Sequence, residues 1–362
     1  MMRPVRSVIT SSDIARLAGV SRQAVSSVLT GRGNSKVCAV KHAEILRLAE
    51  ELGYKSNVSA LSLAGHRTYT IGLVSSWHGI IGAINRLIAE KIRASGYELL
   101  QVVQDSNQDG SNFPELISRG AEGIICSHKL SYDRGRVGVP VLQLGYDGCD
   151  VDIDYEETGL LVARHLLRHG HRKVLIVNSL QEITNGRWKY ASLQETLQGK
   201  AEVRNLCLFR NPDGNSQVLA AIKDGFTGIF CAYDHIAWRL LTFLRQHGYR
   251  APDDFAVIGF GGHVYNEYMN PTLTSVIYPV QELAELAVKH MIEKIVTGNH
   301  EKLQKPILVK PKLNPGRSCG CPERPLKCIF WEGNFTSVES AYQYLEQAPE
   351  DLQDQYSILT EE

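Results

Sequence analysis

No stretch of this chain approaches the roughly 18 consecutive apolar residues that a membrane-spanning helix needs, so no membrane span is expected. The opening residues, MMRPVRSVITSSD, lack the apolar core of a secretory leader and are read without a signal peptide. Net charge is missing too, since 39 Lys and Arg balance 39 Asp and Glu. The common catalytic signatures are also absent: no P-loop, no G-x-S-x-G, no H-E-x-x-H and no Cys/His pair in a known setting. Eight cysteines are scattered at positions 38, 126, 149, 207, 231, 319, 321 and 328. Without a secretion signal they read as reduced thiols of a cytoplasmic protein. What the chain does have is length and apolar content. Its 362 residues suit two or three domains, and 43% apolar residues support real cores.

The zero net charge hides an asymmetry. Residues 1–65 hold nine Lys/Arg and four acids, a local charge of +5, so the remainder carries −5. A basic head on a mildly acidic body points to a polyanion contacted by the head alone.

That head reads as three helices. Ser11 or Ser12 can cap a helix through DIARLAG, with Ile14, Leu17 and Ala18 on one apolar face and Gly19 closing it. Ser21 caps RQAVSSVLTG, in which Ala24, Val25, Val28 and Leu29 face inward. A third helix, about VKHAEILRLAEELG, presents Val40, Ala43, Leu46 (with Ile45), Leu48 and Leu52 inward. The pattern is a helix-turn-helix with a bracing third helix. The second helix turns Arg22, Gln23, Ser26 and Ser27 outward. Short polar groups and planar donors suit a helix lying in a major groove: Arg bonds guanine, Gln bonds adenine, and Ser is less specific.

The segments DIARLAGVSRQAVSSVLTG and AEELGYKSNVSALSLAG resemble the DNA-binding head of the lactose-repressor (LacI/GalR) family. Departures are small: Ala24 stands where Thr is usual, Thr30 replaces Asn, and Ser56 replaces Pro. The resemblance implies base-reading roles for Arg22, Gln23 and Ser27. It implies phosphate contacts for Ser12, Ser21, Ser26 and Asn34, which fix register without reading sequence. Residues 57–65, NVSALSLAG from Asn57 onward, resemble the family's hinge helix, and Leu63 matches its leucine that wedges between base pairs of the minor groove. Nine such residues alone should not hold a helix, but two copies paired against DNA can.

The body alternates strand and helix in two rounds. Strands are read at 69–75, 98–105 and 139–145, and again in RKVLIV, GIFCAYD and DDFAVIGFGG, with helices between. The expected fold class is therefore α/β: a helix-turn-helix head, a hinge helix and a two-lobed, doubly wound parallel-sheet core. HLLRHGHRKVLIV and APDDFAVIGF resemble family signatures of a core like the periplasmic sugar-binding proteins. The domains are read as 1–56, head; 57–66, hinge; 67–317, two-lobed effector-binding and dimerisation core; and 318–362, acidic C-terminal extension. Crossings between the lobes fall near 152–156, 276–280 and 306–311.

In such sheets ligands sit beyond the carboxyl ends of the strands. Trp77 and His78 follow the first strand and offer a stacking face and a donor. By resemblance, Arg187 and Asp234 match ligand-binding positions. Where the family reads G-F-D-D, this chain reads Gly-Phe-Gly261-Gly262, which removes an acid; His263 or Asn266 can substitute. The missing acid favours a ligand with its own negative charge, such as a sugar acid, over a neutral hexose.

The tail holds three cysteines in C-x-C-x6-C, without an evident fourth ligand and without the spacing of a zinc knuckle, so no metal site is assigned and no cofactor is expected. Residues 319–362 carry nine acids against two bases, and SVESAYQYLEQA reads as a small amphipathic helix. The expected function is a transcription regulator, a repressor acting as a homodimer on a palindromic double-stranded DNA operator, controlled by a sugar or sugar-acid effector. The expected location is the cytoplasm, at the nucleoid. Two alternatives stand beside it: a ligand-binding protein without DNA activity, and an enzyme closing its lobes on a substrate.

Overall fold

The computed structural model describes residues 9–29, 37–54, 67–75, 79–103, 112–127, 134–145, 149–178, 187–208 and 214–321. The hinge, Asn34, Asn57, Leu63, Trp77, His78 and the tail helix fall outside these residues. Arg187 is described only as the backbone start of a helix.

Three helices build the head: α1 (Ser11–Ala18), α2 (Arg22–Leu29) and α3 (Ala39–Glu51). Ile14, Ala15, Ala18, Val25, Val28, Ile45 and Ala49 form its core. Two details differ from the sequence reading. Thr10 caps α1, not Ser11 or Ser12. Its Oγ1 accepts from the Asp13 amide at 3.3 Å and its own N–H donates to Asp13 Oδ2 at 3.0 Å. This capping box satisfies two otherwise orphaned donors. The thread of inward residues also runs elsewhere: Leu17, Val40, Ala43 and Leu46 are exposed, and Ala15 and Ala49 are buried instead.

The first lobe is a four-stranded parallel sheet built from β1 (Thr70–Ser75), β2 (Glu98–Val103), β3 (Gly123–Cys126) and β4 (Val141–Gln143) in the order β2-β1-β3-β4. Helix α4 (Gly79–Ala94) covers one face through Ile84, Ile88 and Ile92. Helix α5 (Phe113–Ser118) covers the other against Val74, Ile124 and Val141.

The chain leaves this lobe through β5 (Val151–Ile153) into α6 (Tyr155–Arg168). The second lobe then alternates β6 (Lys173–Asn178), α7 (Arg187–Leu197), β7 (Glu202–Cys207), α8 (Gly214–Lys223), β8 (Gly228–Cys231), α9 (Asp234–Gln246), β9 (Ala256–Gly261) and β10 (Thr274–Ile277). The central residues of β6, Val174–Val177, are all fully buried, as a strand covered on both faces demands. After β10 the chain returns to the first lobe. Helix α10 (Val280–Thr297) packs Leu283, Ala284, Ala287 and Met291 into the same cluster as Ile71 and Leu73. It crosses back through β11 (Ile307–Val309), which pairs with β5, into β12 (Lys312–Asn314). The second sheet is ordered β12-β10-β9-β8-β6-β7, parallel except for β12, which runs antiparallel to β10.

Buried polar groups fasten the crossings. Asp150 is fully buried; its Oδ2 accepts from Arg134 Nη1 at 2.6 Å and the Gln143 amide at 2.8 Å, and its Oδ1 from the Leu303 amide at 3.1 Å. At the next step Tyr278 donates its hydroxyl to Asp152 Oδ1 at 3.3 Å. A buried carboxylate needs such donors to be tolerated. Among the described residues no helix is long and apolar enough to cross a membrane.

Candidate nucleic-acid interface and ligand site

The head brings two helix starts together. Ser21 caps α2, its Oγ accepting from the Ala24 amide at 3.1 Å. Arg22, the first residue of α2, donates from Nε to Ser11 Oγ at the start of α1, 3.2 Å away. Lys41 of α3 donates to the Ala18 carbonyl at 2.6 Å and pairs with Glu44 at 2.7 Å, closing the far end of α1. Arg22, Gln23 and Ser26 are exposed on α2, as are Ser12 on α1 and Ser21 before α2. Ser27 is half-buried. Free amides at helix starts attract anions, and here two starts lie on one side with an exposed guanidinium between them.

The second-lobe candidates converge at the carboxyl ends of β8 and β9. Asp234 opens α9 and is 4% exposed. Its Oδ2 accepts from the His263 amide at 2.7 Å and from Asn266 Nδ2 at 2.9 Å; its Oδ1 accepts from Ser275 Oγ at 2.6 Å. Burial pushes the Asp234 carboxyl above its usual range, against the pull of these donors. Asn266 is 3% exposed, and its Oδ1 takes the Trp238 indole N–H at 2.8 Å. Asp234 and Asn266, read from the sequence as ligand contacts, are thus spent on interior hydrogen bonds. They hold the loop that carries His263, which is itself half-buried. Gly259 is part of this arrangement, because a Cβ there would collide with Asp234 Oδ1.

Around His263 stands an aromatic group that sequence reasoning missed. Trp238 meets His263 edge-on at 5.1 Å between ring centroids, and Tyr265 lies 4.8 Å from His263. Tyr265 is 50% exposed. A second missed residue is Asn178, at the carboxyl end of β6. Its buried Oδ1 finds no hydrogen-bond partner among the described residues. The signal for Asn178 was its place as the polar residue ending KVLIVN. Trp238 and Tyr265 carried no such signal, because one lies on α9 and the other after β9, and they meet only through packing. The Gly261-Gly262 pair has a backbone reason as well: φ is +132° and +72°, conformations that favour glycine over an acid.

A further cluster lies on the other side of the second lobe. His165 and His169, one turn apart at the end of α6, meet Cys319 and Cys321, which follow β12. The sequence reading found no fourth ligand for these cysteines because the missing partners sit about 150 residues upstream. Burial, reinforced by His169 and Arg168, pushes the His165 imidazole down to about 4.

A helix-turn-helix head joined to a two-lobed, parallel-sheet core defines the class: a DNA-binding module coupled to a ligand-binding core. Residues 10–57 match the model of bacterial regulatory proteins of the lacI family, and residues 163–319 match a periplasmic binding protein-like domain. The head is thus a lacI-family helix-turn-helix domain, and the core carries a periplasmic binding protein-like domain. It is 27% identical over 322 residues to the catabolite control protein A of Streptococcus mutans, covering 83% of this chain and 95% of that protein. It is 24% identical to the transcriptional repressor PurR of Mannheimia succiniciproducens, covering 84% and 96%. Its fold is that of the lac repressor dimer solved with operator and the anti-inducer ONPF, with a TM-score of 0.73 at 20% identity over 86% of this chain and 99% of that one.

Proposed function

We propose that this chain is a cytoplasmic, nucleoid-associated transcriptional repressor without enzymatic activity. It binds a near-palindromic operator as a homodimer and releases or tightens on it when a small molecule enters between its lobes. The observation that carries the DNA reading is α2, which offers Arg22 and Gln23 to solvent in its first turn beside the start of α1. Arg22 and Gln23 read base edges, with Ser27 beside them, while Ser12, Ser21, Ser26 and Asn34 hold phosphates. Asn57 and Leu63 belong to a hinge that orders on the duplex and wedges the minor groove. The PurR relative is a transcriptional repressor by name, and the lac repressor was solved on its operator as a dimer, which supports the two-fold arrangement.

The effector is a sugar or sugar acid. Trp77 and His78, which follow the first strand, and Arg187, which begins α7, take it together with His263, and Asp234 and Asn266 position the His263 loop. Asn178 adds an acceptor that a ligand hydroxyl can satisfy. An aromatic face with a few convergent polar groups suits a polyhydroxylated ring. A thermal-shift screen of sugars and sugar acids on the full chain, followed by DNA binding with each hit, tests the reading. A hit that stabilises the parent but not Arg187→Ala, and that alters DNA binding, supports it. Equal stabilisation of both proteins by every hit overturns the ligand site.

A further inference from the structure

Four soft or borderline donors from two distant parts of the chain meet in one place. His165 Nε2 lies 3.2 Å from Cys319 Sγ and 3.8 Å from Cys321 Sγ, and His169 Nε2 lies 3.5 Å from Cys321 Sγ. The four ligand atoms all fall within 4.8 Å of one another. A tetrahedral zinc ion, bonded at about 2.3 Å to sulfur and about 2.0–2.1 Å to nitrogen, separates a sulfur from a nitrogen by about 3.5 Å. The observed distances bracket that value.

Each ligand is delivered by fixed backbone. His165, in the last turn of α6, and His169, its C-cap, are spaced i, i+4, so both rings leave one face, with centroids 4.5 Å apart. Cys319 is 3% exposed and ends the short helix Arg317–Cys319. That helix is stitched to the second sheet. Ser318 Oγ donates to the Val257 carbonyl at 2.7 Å and accepts from the Thr274 amide at 2.9 Å. Thr274 Oγ1 accepts from the Gly316 amide and lies 2.9 Å from the Gly316 carbonyl and 2.8 Å from Cys319 Sγ, so its one proton can turn to a thiolate there. Gly320 adopts φ +79°, which swings Cys321 back towards the same centre. The histidines therefore do not depend on the mutual attraction of flexible side chains; the sheet and the helix bring them to the cysteines.

We infer that His165, His169, Cys319 and Cys321 form a structural zinc site that staples the end of the core to α6. Four protein ligands close the coordination sphere, which is the structural rather than the catalytic arrangement. Thiolate and imidazole donors select zinc over the oxygen-seeking cations. Two thiolates cancel the two charges of the ion, so the half-buried site gains no net charge. Binding displaces the two thiol protons to solvent and involves no oxidant. The staple sits where the second lobe ends and residues 322–362 begin. Zinc therefore fixes the strap after β12 to the lobe independently of operator or effector.

The test uses the full chain, purified under reducing conditions and stripped with a chelator. Cobalt is the first probe. The parent should bind it one-to-one, with visible bands of tetrahedral intensity and thiolate-to-cobalt charge transfer, and zinc should displace it. His169→Ala and Cys321→Ser alter the more exposed ligands and should keep the metal-free melting temperature of the parent. Both should lose stoichiometric binding and the rise in melting temperature that zinc gives the parent. Thr274→Ala should keep tetrahedral cobalt bands but bind zinc about 10–100-fold more weakly, as loss of a hydrogen bond to a ligand does. Octahedral cobalt spectra, binding that survives in both ligand variants, or no stoichiometric binding by the reduced parent would each overturn the inference.

Discussion

Asp234 shows what a single buried carboxylate does here. Its two oxygens collect the His263 amide, Asn266 Nδ2 and Ser275 Oγ, joining the start of α9 to the turn after β9 and to β10. Removing it leaves three interior donors without their acceptor. Asp234→Ala should lower the stability of the core by on the order of 3 kcal/mol, read as a lower denaturant midpoint with an unchanged slope. A midpoint equal to the parent's would show that the donors find other acceptors. The base-reading residues make a different prediction, because they face solvent and the Arg22–Ser11 hydrogen bond is an exposed one. Arg22→Ala and Gln23→Ala should each leave the fold intact and cost about 1–3 kcal/mol at one operator position, relaxing the preference for that base. Competition binding against duplexes altered one position at a time measures this. Equal losses on operator and random DNA would reassign both residues to phosphate contact.

At the scale of elements, α1 depends on its cap. A helix of eight residues cannot hold itself by propensity, so the Thr10–Asp13 box and the packing of Ile14, Ala15 and Ala18 decide it. Thr10→Ala should cost about 1 kcal/mol, seen as faster hydrogen exchange in α1 while the second lobe exchanges as before. Unchanged exchange in α1 would show that packing alone maintains it. The same helix shows why sequence reading stops short. The order of the head helices and of the parallel strands was legible, because Gly19, Ser21 and the apolar runs mark the elements locally. The choice of Thr10 over Ser11 and the exposure of Leu17 and Val40 were not, because a one-residue shift of a cap and the face a helix buries depend on how its neighbours pack. The ligand-side residues divide in the same way. Asp234 was visible as a candidate but not as an interior anchor, since burial by β9 and β10 is a tertiary fact. Trp238 and the histidine–cysteine cluster were invisible because residues far apart in sequence meet there only in the folded chain.

The whole molecule joins a basic head to an acidic body, so its two halves should respond to different variables. Operator affinity should fall steeply with salt, with the logarithm of the binding constant losing about 0.9 per phosphate contact for each decade of salt. Effector binding to the core, with at most one ligand charge, should depend on salt far less. Coupling between the two is reciprocal: a ligand that weakens operator binding by some factor must itself bind the operator complex more weakly by the same factor. Calorimetric titration of the ligand into the protein with and without operator checks this, and identical affinities in the two states would deny that the ligand regulates DNA binding. The most direct test of the central claim is selection of duplexes by the full chain from a pool with a randomised centre. The account predicts enrichment of an inverted repeat whose half-sites lose their base preference when Arg22 and Gln23 are changed to Ala. A pool that stays random after repeated rounds, or binding that is indifferent to salt, would contradict it.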